Sequence, residues 1–429
     1  MMFRQYFLNA FCLSLMCFLF SFCSKSDTAP NSLPAIAALN ADWQTLTPKA
    51  IVANEAYEGE LYIPYSGGNG ATYSEGESIA STGVTGLSAK LKAGELKNGL
   101  GHLSFAINGT PSAAGNATFT LSFGGQTQTI VLPIQETANA ATPFFWGFFD
   151  DAGTPTSFYE GLGTKPSTHM MFDGWYADGD RTFPTSFCQQ ADANGFTPFV
   201  TLEPFMGMDE ILSGKYDADL TAYANAIKAF GKPILFRFAH EFNGDWYPWS
   251  VMNDQVVPAA TYVKGFKYVH DKLTQAGATN LVWIWAPNNE NGGKNPQTLD
   301  TYYPGDAFVD IIGMDGYNFG TSQDWSKWGS FSQTFGNLYK WIETNHPDKP
   351  ILIAEMGCSS EGGDKVAWIN DMFLQLQRNF PKIMSIVWFN IDKETDWRFH
   401  ENDATKRAFM NGVSAPRVQY DRSFGGIVK

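Results

Sequence analysis

The sequence predicts a (β/α)8 TIM barrel preceded by a small β-sandwich. From residue 144 onward, short and almost continuously apolar segments alternate with longer segments of helical periodicity, which is typical of parallel strands covered by helices. Eight such segments favour a closed barrel, and no G-x-G-x-x-G motif follows the first, as an open dinucleotide-binding sheet would require. Residues 43–136 show instead the two-residue alternation and frequent turns of antiparallel strands.

The barrel region, residues 137–429, divides into elements by its periodicity. Strands are predicted at 144–149, 170–175, 196–202, 234–241, 281–286, 309–317, 351–357 and 383–390. Helices are predicted at 183–194, 217–230, 259–276, 332–344, 365–380 and 404–412. In such a barrel the chemistry lies at the C-terminal ends of the strands, so those ends define the candidate site.

The region 43–136 contains alternating segments at 60–65, 117–123 and 129–134, with Gly-rich turns at 67–70 and 123–126. It resembles the immunoglobulin-like modules that precede enzymes in surface lipoproteins of the Bacteroidetes. A spacer role is favoured over glycan binding, because no cluster of exposed tryptophans occurs in this region.

The N-terminal segment predicts export. Residues 1–23 carry a basic residue, Arg4, then an apolar run from 7 to 22, and read as a signal peptide. The run ends at Cys23, which resembles the lipidated cysteine of bacterial lipoproteins, although Phe22 replaces the usual small residue. We therefore expect a lipoprotein anchored in the outer membrane, with simple secretion as the alternative. Residues 24–42 form a predicted flexible tether.

Composition narrows the class of partner. The formal net charge of −14 argues against nucleic acid, which calls for clustered Lys and Arg. Aromatic residues make up 15% of the chain, and several tryptophans lie in polar loop sequence, where exposed rings usually bind a ligand. The two cysteines of the body, Cys188 and Cys358, are predicted to be free thiols in a monomeric protein.

Polar and aromatic side chains gather at the predicted strand ends. Most strands contribute at least one carboxylate, amide or ring that would face the mouth of the barrel. In chain order these residues are Asp150, Asp151, Asp173, Trp175, Glu203, Glu241, Asn288, Asp315, Tyr317, Glu355, Trp388 and Asn390.

Two of these residues, Glu241 and Glu355, form the predicted catalytic pair. The ends of strands four and seven lie across a barrel mouth, which can bring two carboxyl groups within roughly 5 Å, the spacing of retaining glycosidases. Arg237 shares the strand parity of Glu241 and would lie beneath both carboxylates, lowering the pKa of the one that stays ionised. Tyr317 can donate a hydrogen bond to that carboxylate. A plain buried ion pair between Glu241 and Arg237 is the alternative.

The motifs around these residues resemble glycoside hydrolase family twenty-six. The resemblance rests on the runs 236–249 (FRFAHEFNGDWYPW), 283–288 (WIWAPN), 309–318 (VDIIGMDGYN), 350–357 (PILIAEMG) and 396–398 (DWR). It implies a metal-free retaining mechanism with Glu241 as acid/base and Glu355 as nucleophile. It also implies that His240, Trp246 and Tyr317 shape the site, with Trp388, Trp397 and Arg398 as a wall on the glycone side.

Asn288 and Trp175 complete the predicted sugar site. Glu203 is expected to bind substrate or support the scaffold, and Asp315 to be a buried hydrogen-bond partner. No metal or other cofactor is expected, because His240 and His169, the two histidines placed near the mouth, lack the companions of a metal site.

The residues leave the substrate open. The family resemblance implies a β-linked polysaccharide, and the forms of 239–247 and 389–398 resemble the mixed-linkage β-glucanase branch, whereas β-mannan is the commoner family substrate and β-1,3-xylan a rarer one. Endo or exo action is also open, although an endo enzyme is the leading hypothesis. The competing hypothesis is a catalytically inactive glycan-binding lipoprotein at the cell surface.

Overall fold

The computed structural model describes residues 33–40, 45–46, 51–135, 143–150, 164–415 and 417–428. The predictions for the signal peptide, Cys23, most of the tether and Asp151 lie outside these residues. Within them, no helix is both long and apolar enough to cross a membrane.

Eight parallel strands close into a barrel, as predicted. Each strand pairs with the next along the chain, and the eighth pairs with the first. The strands are β1 (Phe145–Phe149), β2 (Thr168–Trp175), β3 (Thr197–Pro204), β4 (Ile234–Phe238), β5 (Leu281–Trp285), β6 (Ile311–Asn318), β7 (Ile351–Cys358) and β8 (Ile383–Phe389).

Helices cover the outside of the barrel, and six of them overlap the six predicted segments to within two residues at each end. They are α1 (Thr185–Ala193), α2 (Met208–Leu212), α3 (Asp217–Phe230), α4 (Ala259–Gln275), α5 (Phe331–Asn345), α6 (Lys365–Arg378) and α7 (Asp403–Val413). The sequence did not predict the short helix α2. Between β5 and β6 the chain forms two 3-10 turns, Leu299–Tyr302 and Asp306–Phe308.

Two apolar layers fix the barrel. Side chains that point inward from the strands form a central core, and the C-terminal segment adds Phe424 and Val428 to it. The outward side chains pack against the helices in a larger, aromatic-rich layer. Cys188 and Cys358 are buried free thiols, as predicted. Because both faces of each strand are apolar, an alternation of polar and apolar residues does not show in the sequence which side chains point inward.

The N-terminal region forms two main antiparallel sheets on one shared core. One sheet contains Ala38–Leu39, Thr45–Leu46, Tyr57–Gly68, Ser78–Ala80, Leu87–Leu91 and Gly99–Gly109. The other contains Thr82–Gly83, Gly115–Phe123 and Gln126–Ile134. Two small two-stranded sheets are also present. One pairs Thr72–Tyr73 with Gly94–Glu95, and the other, in the barrel region, pairs Val251–Met252 with Gln255–Val256.

The hairpin between the last two strands of this region turns through Gly124 and Gly125, both with positive φ, at the predicted turn. The immunoglobulin-like character of the region remains a prediction.

The N-terminal region contacts the barrel through a half-buried polar link. Nδ1 of His102 pairs with Oδ2 of Asp364, and the other oxygen of Asp364 accepts a hydrogen bond from the backbone N–H of Ala367, which caps α6. Burial raises the pKa of Asp364, but the hydrogen bond and charge of His102 outweigh burial and bring it to about 2.

Candidate active site

The loop after β4 places Glu241 in the cleft. Strand β4 ends at Phe238, three residues earlier than predicted, and both Ala239 and Glu241 have positive φ. These conformations interrupt the alternation of side chains, so the parity argument that grouped Glu241 with Arg237 does not hold for Glu241. The backbone N–H of Glu241 donates to Ala286 O at 2.8 Å, which ties the turn to the end of β5.

Two side chains hold the carboxyl group of Glu241. Trp246 Nε1 donates to Oε2 at 2.8 Å, and Asn288 Nδ2 donates to Oε1 at 2.7 Å. Burial, followed by the negative charge of Glu355, raises the pKa of Glu241 to about 7. Glu241 is therefore suited to hold a proton near neutral pH, as a general acid must.

Glu355, on β7, is held as an acceptor. The guanidinium of Arg237 donates to Oε1, and the Tyr317 hydroxyl donates to Oε2 at 2.6 Å. Both contacts match the sequence predictions for Arg237 and Tyr317. The two donors fix the orientation of this carboxyl group.

Arg237 connects the nucleophile candidate to the base of the barrel. Its Nη1 donates to both carboxylate oxygens of Asp315 at 2.8 and 2.9 Å, and its Nε donates to Thr201 Oγ1 at 3.0 Å. Arg237 and Asp315 are fully buried. Asp315 is therefore the buried hydrogen-bond partner that the sequence predicts.

His240 lies between the catalytic pair and a third carboxyl group. Its Nε2 is 3.2 Å from the Tyr247 hydroxyl and 3.5 Å from Oε1 of Glu355, whereas its buried Nδ1 has no partner among the described residues. Burial, followed by the charge of Arg237, lowers the pKa of His240 well below its usual range, so the ring is neutral. A proton on Nε2 leaves only the Nδ1 lone pair unpaired, which is the less costly arrangement.

The third carboxyl group, Glu203, also lines the cleft. Burial, followed by the charge of Glu355, raises the pKa of Glu203 to about 7, and Tyr247 donates a hydrogen bond to it. Glu203 thus reaches the catalytic pair through the Tyr247 and His240 side chains. This position fits the predicted substrate-binding or scaffold role.

Asn243 fastens the loop after β4 to the loop after β5. Its Nδ2 donates to the carbonyls of Asn288 and Glu290 at 2.9 and 3.2 Å, and its Oδ1 accepts from the backbone N–H of Asn288 at 2.8 Å. Asn288 is thereby aimed at Glu241. Asn288, predicted to bind sugar, donates its side-chain hydrogen bond to Glu241, the acid/base candidate.

A cleft of about 1270 Å³ contains both catalytic carboxyl groups. Its polar wall comes from Asp245 and residues 288–293, and Lys327, Lys393 and Glu394 lie at its edge. Most of the remaining lining is aromatic and comes from six strands and the loops that follow them. These aromatic residues are Phe149, Phe172, Phe205, Trp246, Tyr247, Tyr317, Phe319, Trp325, Phe389 and Trp397.

Two tryptophans predicted for the site lie elsewhere. Trp388 is fully buried against Trp368 of α6 and Phe409 of α7, and Trp175 is buried against Tyr223 of α3. The predictions were wrong because side chains alternate along a strand. On β8 the neighbouring residue, Phe389, lines the cleft instead of Trp388.

Further strand-end residues also point away from the cleft. Asp173 accepts a hydrogen bond from Tyr223 of α3 at 2.7 Å, and His169 stacks on Phe148 and contacts Phe187 of α1. Asn390 accepts from the backbone N–H of Phe399 at 3.2 Å. Placing His169 near the mouth was therefore wrong. Asp150 is half-buried just after β1 and is not among the lining residues.

The loop after β8 contributes one of its two predicted residues. Trp397 lines the cleft 4.9 Å from the Tyr317 ring, centroid to centroid, as the wall prediction requires. Arg398 does not line it, because its guanidinium makes a bidentate pair with Asp396 at 2.6 and 2.8 Å. That local partner, two residues earlier in the chain, was visible in the sequence.

Sequence reasoning missed the phenylalanines of the cleft and Trp325. Phe149, Phe172 and Phe389 lie on strands whose two faces are equally apolar, so only the register distinguishes them from core residues. Trp325 lies in the loop after β6 and is exposed. The sequence signal that could have identified it is a tryptophan within the polar segment 321–327.

One group of possible metal ligands occurs among the described residues. Ligand atoms of His240, Asp315 and Glu355 lie within 4.8 Å of one another. Arg237, however, already binds both carboxylates and supplies the positive charge that balances them.

Together, the closed barrel, the paired glutamates at the ends of β4 and β7 and the aromatic cleft define a site of the glycoside hydrolase type. Residues 207–402 match the model of glycosyl hydrolase family 26. This range contains Arg237, Glu241, Tyr317 and Glu355 but not Glu203.

Curated relatives agree with this match. The chain is 36% identical over 262 residues to Endoglucanase H from Acetivibrio thermocellus, covering 60% of this chain and 29% of that protein. It is 31% identical over 200 residues to a mannan endo-1,4-β-mannosidase from Bacillus subtilis, covering 43% and 48% of the two chains. The chain thus spans less than half the length of these relatives. The barrel is thus similar to glycosyl hydrolase family 26 over residues 207–402.

Solved structures with similar folds include a GH26 β-mannanase from Bacteroides ovatus. The match has a TM-score of 0.49 and 17% identity, and covers 65% of this chain and 90% of that one.

Proposed function

We propose that the protein is a retaining endo-β-glycanase that hydrolyses a β-linked polysaccharide. The observation that carries this proposal is the different environment of two carboxyl groups in one aromatic cleft. Glu241 has a pKa raised to about 7, whereas Glu355 accepts hydrogen bonds from Arg237 and Tyr317. An acid and a nucleophile of this kind are what double displacement requires.

In the first step, a carboxylate oxygen of Glu355 attacks the anomeric carbon of the sugar. The bond to the glycosidic oxygen breaks, and Glu241 donates its proton to that oxygen, so the leaving chain departs as a neutral alcohol. The product is a glycosyl ester on Glu355. Trp246 and Asn288 hold Glu241 in position for the transfer.

In the second step, the ionised Glu241 removes a proton from water, and the water oxygen attacks the anomeric carbon. The ester bond to Glu355 breaks, and the carboxylate is restored with its bonds to Arg237 and Tyr317. Two inversions at the same carbon give overall retention. The neutral His240, 3.5 Å from Glu355, offers a donor to the nucleophile or to a sugar hydroxyl without adding charge.

We propose β-glucan, in particular mixed-linkage β-1,3-1,4-glucan, as the substrate. Support comes from the 36% identity with an endoglucanase over 262 residues, whereas the mannan-hydrolysing relatives are 25% and 31% identical over 227 and 200 residues. The second candidate is β-1,4-mannan, which those relatives favour.

A panel of mixed-linkage glucan, mannan, xylan and cellulose tests the proposal by release of reducing ends. Wild-type protein should cleave mixed-linkage glucan and rapidly lower its viscosity, which marks endo action. Glu241→Gln and Glu355→Ala should each reduce turnover by several orders of magnitude. Glu343→Gln, at a half-buried carboxylate on α5 outside the cleft lining, is the matched control and should leave turnover unchanged.

Wild-type protein that releases no reducing ends from any polysaccharide would support the glycan-binding alternative. Near-normal turnover in either cleft variant would instead contradict the assignment of the catalytic pair.

We further propose that the protein is exported as an outer-membrane lipoprotein and acts as a monomer at the cell surface. The apolar run 7–22 before Cys23 supports lipidation, and the sheets of residues 51–135 would act as an immunoglobulin-like spacer. In an expressing bacterium, wild-type protein should incorporate labelled fatty acid and Cys23→Ser should not. Equal labelling of both would refute the proposal.

A further inference from the structure

Trp325 is a strongly exposed aromatic side chain in the cleft. Its side chain is 72% exposed, whereas Trp397 in the same cleft is almost fully buried. Leaving an indole in water is unfavourable, and covering it with an apolar surface recovers that free energy. The apolar face of a pyranose ring is such a surface, as Trp combines a flat apolar ring with a polar N–H.

A row of aromatic rings leads from the nucleophile to Trp325. Tyr317, which donates to Glu355, has its ring centroid 5.9 Å from that of Phe319. Phe319 in turn lies 4.9 Å from Trp325 and 4.8 Å from Trp397. Each step along the row is comparable to the length of one sugar unit. A chain bound at Glu355 can therefore continue along these rings to Trp325.

The loop that carries Trp325 is built to hold its shape. Oδ1 of Asn318 accepts from the backbone N–H groups of Gly320 and Gly329, at the two ends of the loop, at 3.2 and 3.1 Å. Inside the loop, Ser326 Oγ donates to the carbonyls of Gly320 and Gln323 at 2.8 and 3.1 Å.

Two further bonds connect this loop to its neighbours. The backbone N–H of Thr321 donates to Glu361 O at 2.9 Å, and Gln323 Nε2 donates to Glu394 O, in the loop after β8, at 3.3 Å. A loop that is already ordered loses little conformational entropy when a ligand binds. Trp325 is thus exposed on a loop whose shape is fixed by hydrogen bonds.

We propose that Trp325 is a distal sugar-binding platform that stacks on a sugar unit beyond the one attached to Glu355. The inference rests on the proposed function and deepens it. It makes the enzyme favour long chains over short ones, because only a chain that reaches Trp325 gains this contact.

The test measures kcat and KM for wild type, Trp325→Ala, Trp325→Phe and Tyr420→Ala on mixed-linkage glucan and on its oligosaccharides of two to six units. If the wild type prefers mannan, the mannan series replaces them. Tyr420 is an exposed aromatic control near the N-terminal end of β3, where its hydroxyl bonds to Gly195 O. Thermal unfolding of each variant checks that the fold is kept.

In the wild type, kcat/KM should rise sharply at the length that reaches Trp325. Trp325→Ala should lose that rise and show about a tenfold lower kcat/KM on polysaccharide, mainly through KM, as expected for a well-placed tryptophan contact. Trp325→Phe should keep part of the rise, and Tyr420→Ala should keep all of it.

The inference is overturned if Trp325→Ala keeps the same rise or loses kcat equally at every length. Those outcomes leave the proposed function intact, because the wild type still cleaves the series. Failure of the wild type to cleave any polysaccharide refutes the proposed function, and the inference with it.

Discussion

At the scale of single residues, the two glutamates differ in what surrounds them. Glu241 is buried and held by Trp246 and Asn288, while Glu355 receives hydrogen bonds from Arg237 and Tyr317. Burial and the negative charge of Glu355 favour the neutral acid at Glu241, whereas Glu355 is held directly by a guanidinium and a phenol. The same residue type therefore has two different environments in one cleft, as the proposed acid and nucleophile require.

Activity should fall as the pH rises through about 7. The general acid must be protonated in the free enzyme, and the pKa of Glu241 is raised to about 7. A profile of kcat/KM against pH should therefore show its alkaline limb near that value. Activity that stays constant up to pH 9 would contradict this role for Glu241.

Glu203 is the control for this pH profile because its pKa is also raised to about 7. Glu203→Gln should keep the alkaline limb, since the protonated acid is Glu241. Loss of the limb in Glu203→Gln would assign the titration to Glu203 instead.

Arg237 should contribute far more to stability than Arg398, although each donates to both carboxylate oxygens of an aspartate. Replacing Arg237 by Met leaves Asp315 and Glu355 without their buried cation, which should lower the free energy of unfolding by about 3–5 kcal/mol. The Arg398 side chain is 40% exposed, so Arg398→Met should cost less than about 1 kcal/mol. Urea unfolding of both variants measures the difference, and equal losses would contradict it.

The sequence revealed the acid and base residues and three cleft aromatics, Trp246, Tyr317 and Trp397, but not the other aromatic residues of the cleft. Glu241, Glu355 and Arg237 could be predicted because a charged residue at the end of an apolar strand needs a reason to be there. Trp388 and Phe389 could not be distinguished, because both faces of β8 are buried and hydrophobic. Along a strand, neighbouring side chains point to opposite faces, so an error of one residue moves a side chain from the cleft to the layer against the helices.

At the scale of secondary-structure elements, strands and helices followed the hydrophobic periodicity closely, while loop conformations did not. Strand β4 ends at Phe238 because Ala239 adopts a left-handed conformation, which neither its residue type nor the pattern foretells. The loop after β6 is shaped by side-chain hydrogen bonds of Asn318 and Ser326, whose partners periodicity does not specify.

Gly320 should be essential to the loop that carries Trp325. Its φ is +57°, and a Cβ at this position would lie 1.9 Å from the backbone oxygen of Glu361. Gly320→Ala should therefore lower the free energy of unfolding by more than about 1 kcal/mol. It should also reduce the preference for long chains, measured as kcat/KM against oligosaccharide length.

The matched control is Gly336→Ala in helix α5, where the nearest atom to an added Cβ is 3.9 Å away. Alanine is the better helix former, so stability should hold or rise there. If Gly320→Ala behaves like Gly336→Ala, the loop is not fixed in the way its hydrogen bonds indicate.

At the scale of the whole molecule, the N-terminal sheets and the barrel meet at a few specific contacts. The pair His102–Asp364 joins the strand Gly99–Gly109 to the start of α6, beside a groove of about 760 Å³ lined from both sides. The sequence indicated two regions with different periodicity. It gave no sign of this pair, whose members lie 262 positions apart.

Asp364 should stabilise the molecule in two separable ways. Asp364→Asn retains a helix-capping side chain but loses the charge that pairs with His102, so we expect a loss of about 1–3 kcal/mol in unfolding free energy. Asp364→Ala loses the cap as well and should cost about 1 kcal/mol more. Urea unfolding near neutral pH compares the three proteins, and an Asn variant as stable as wild type would contradict a stabilising role for the His102–Asp364 contact.

The contribution of Asp364 also has a predicted pH dependence. Its pKa is lowered to about 2 in the folded protein, below the ordinary value of 3.8. A lowered pKa gives stability that is present above the ordinary value and is lost as the pH falls through the folded one. The difference between wild type and Asp364→Asn should therefore shrink between about pH 4 and pH 2.

The central claim is that Glu355 forms a covalent bond to the sugar while Glu241 serves as acid and base. An activated 2-deoxy-2-fluoro-β-glycoside of the preferred sugar should accumulate as a glycosyl ester on the wild-type protein. Peptide mass spectrometry after digestion should then place one label on Glu355, and Glu355→Ala should remain unlabelled. A label on Glu241 or Glu203 would contradict the claim. So would hydrolysis that retains the anomeric configuration while no labelled protein forms.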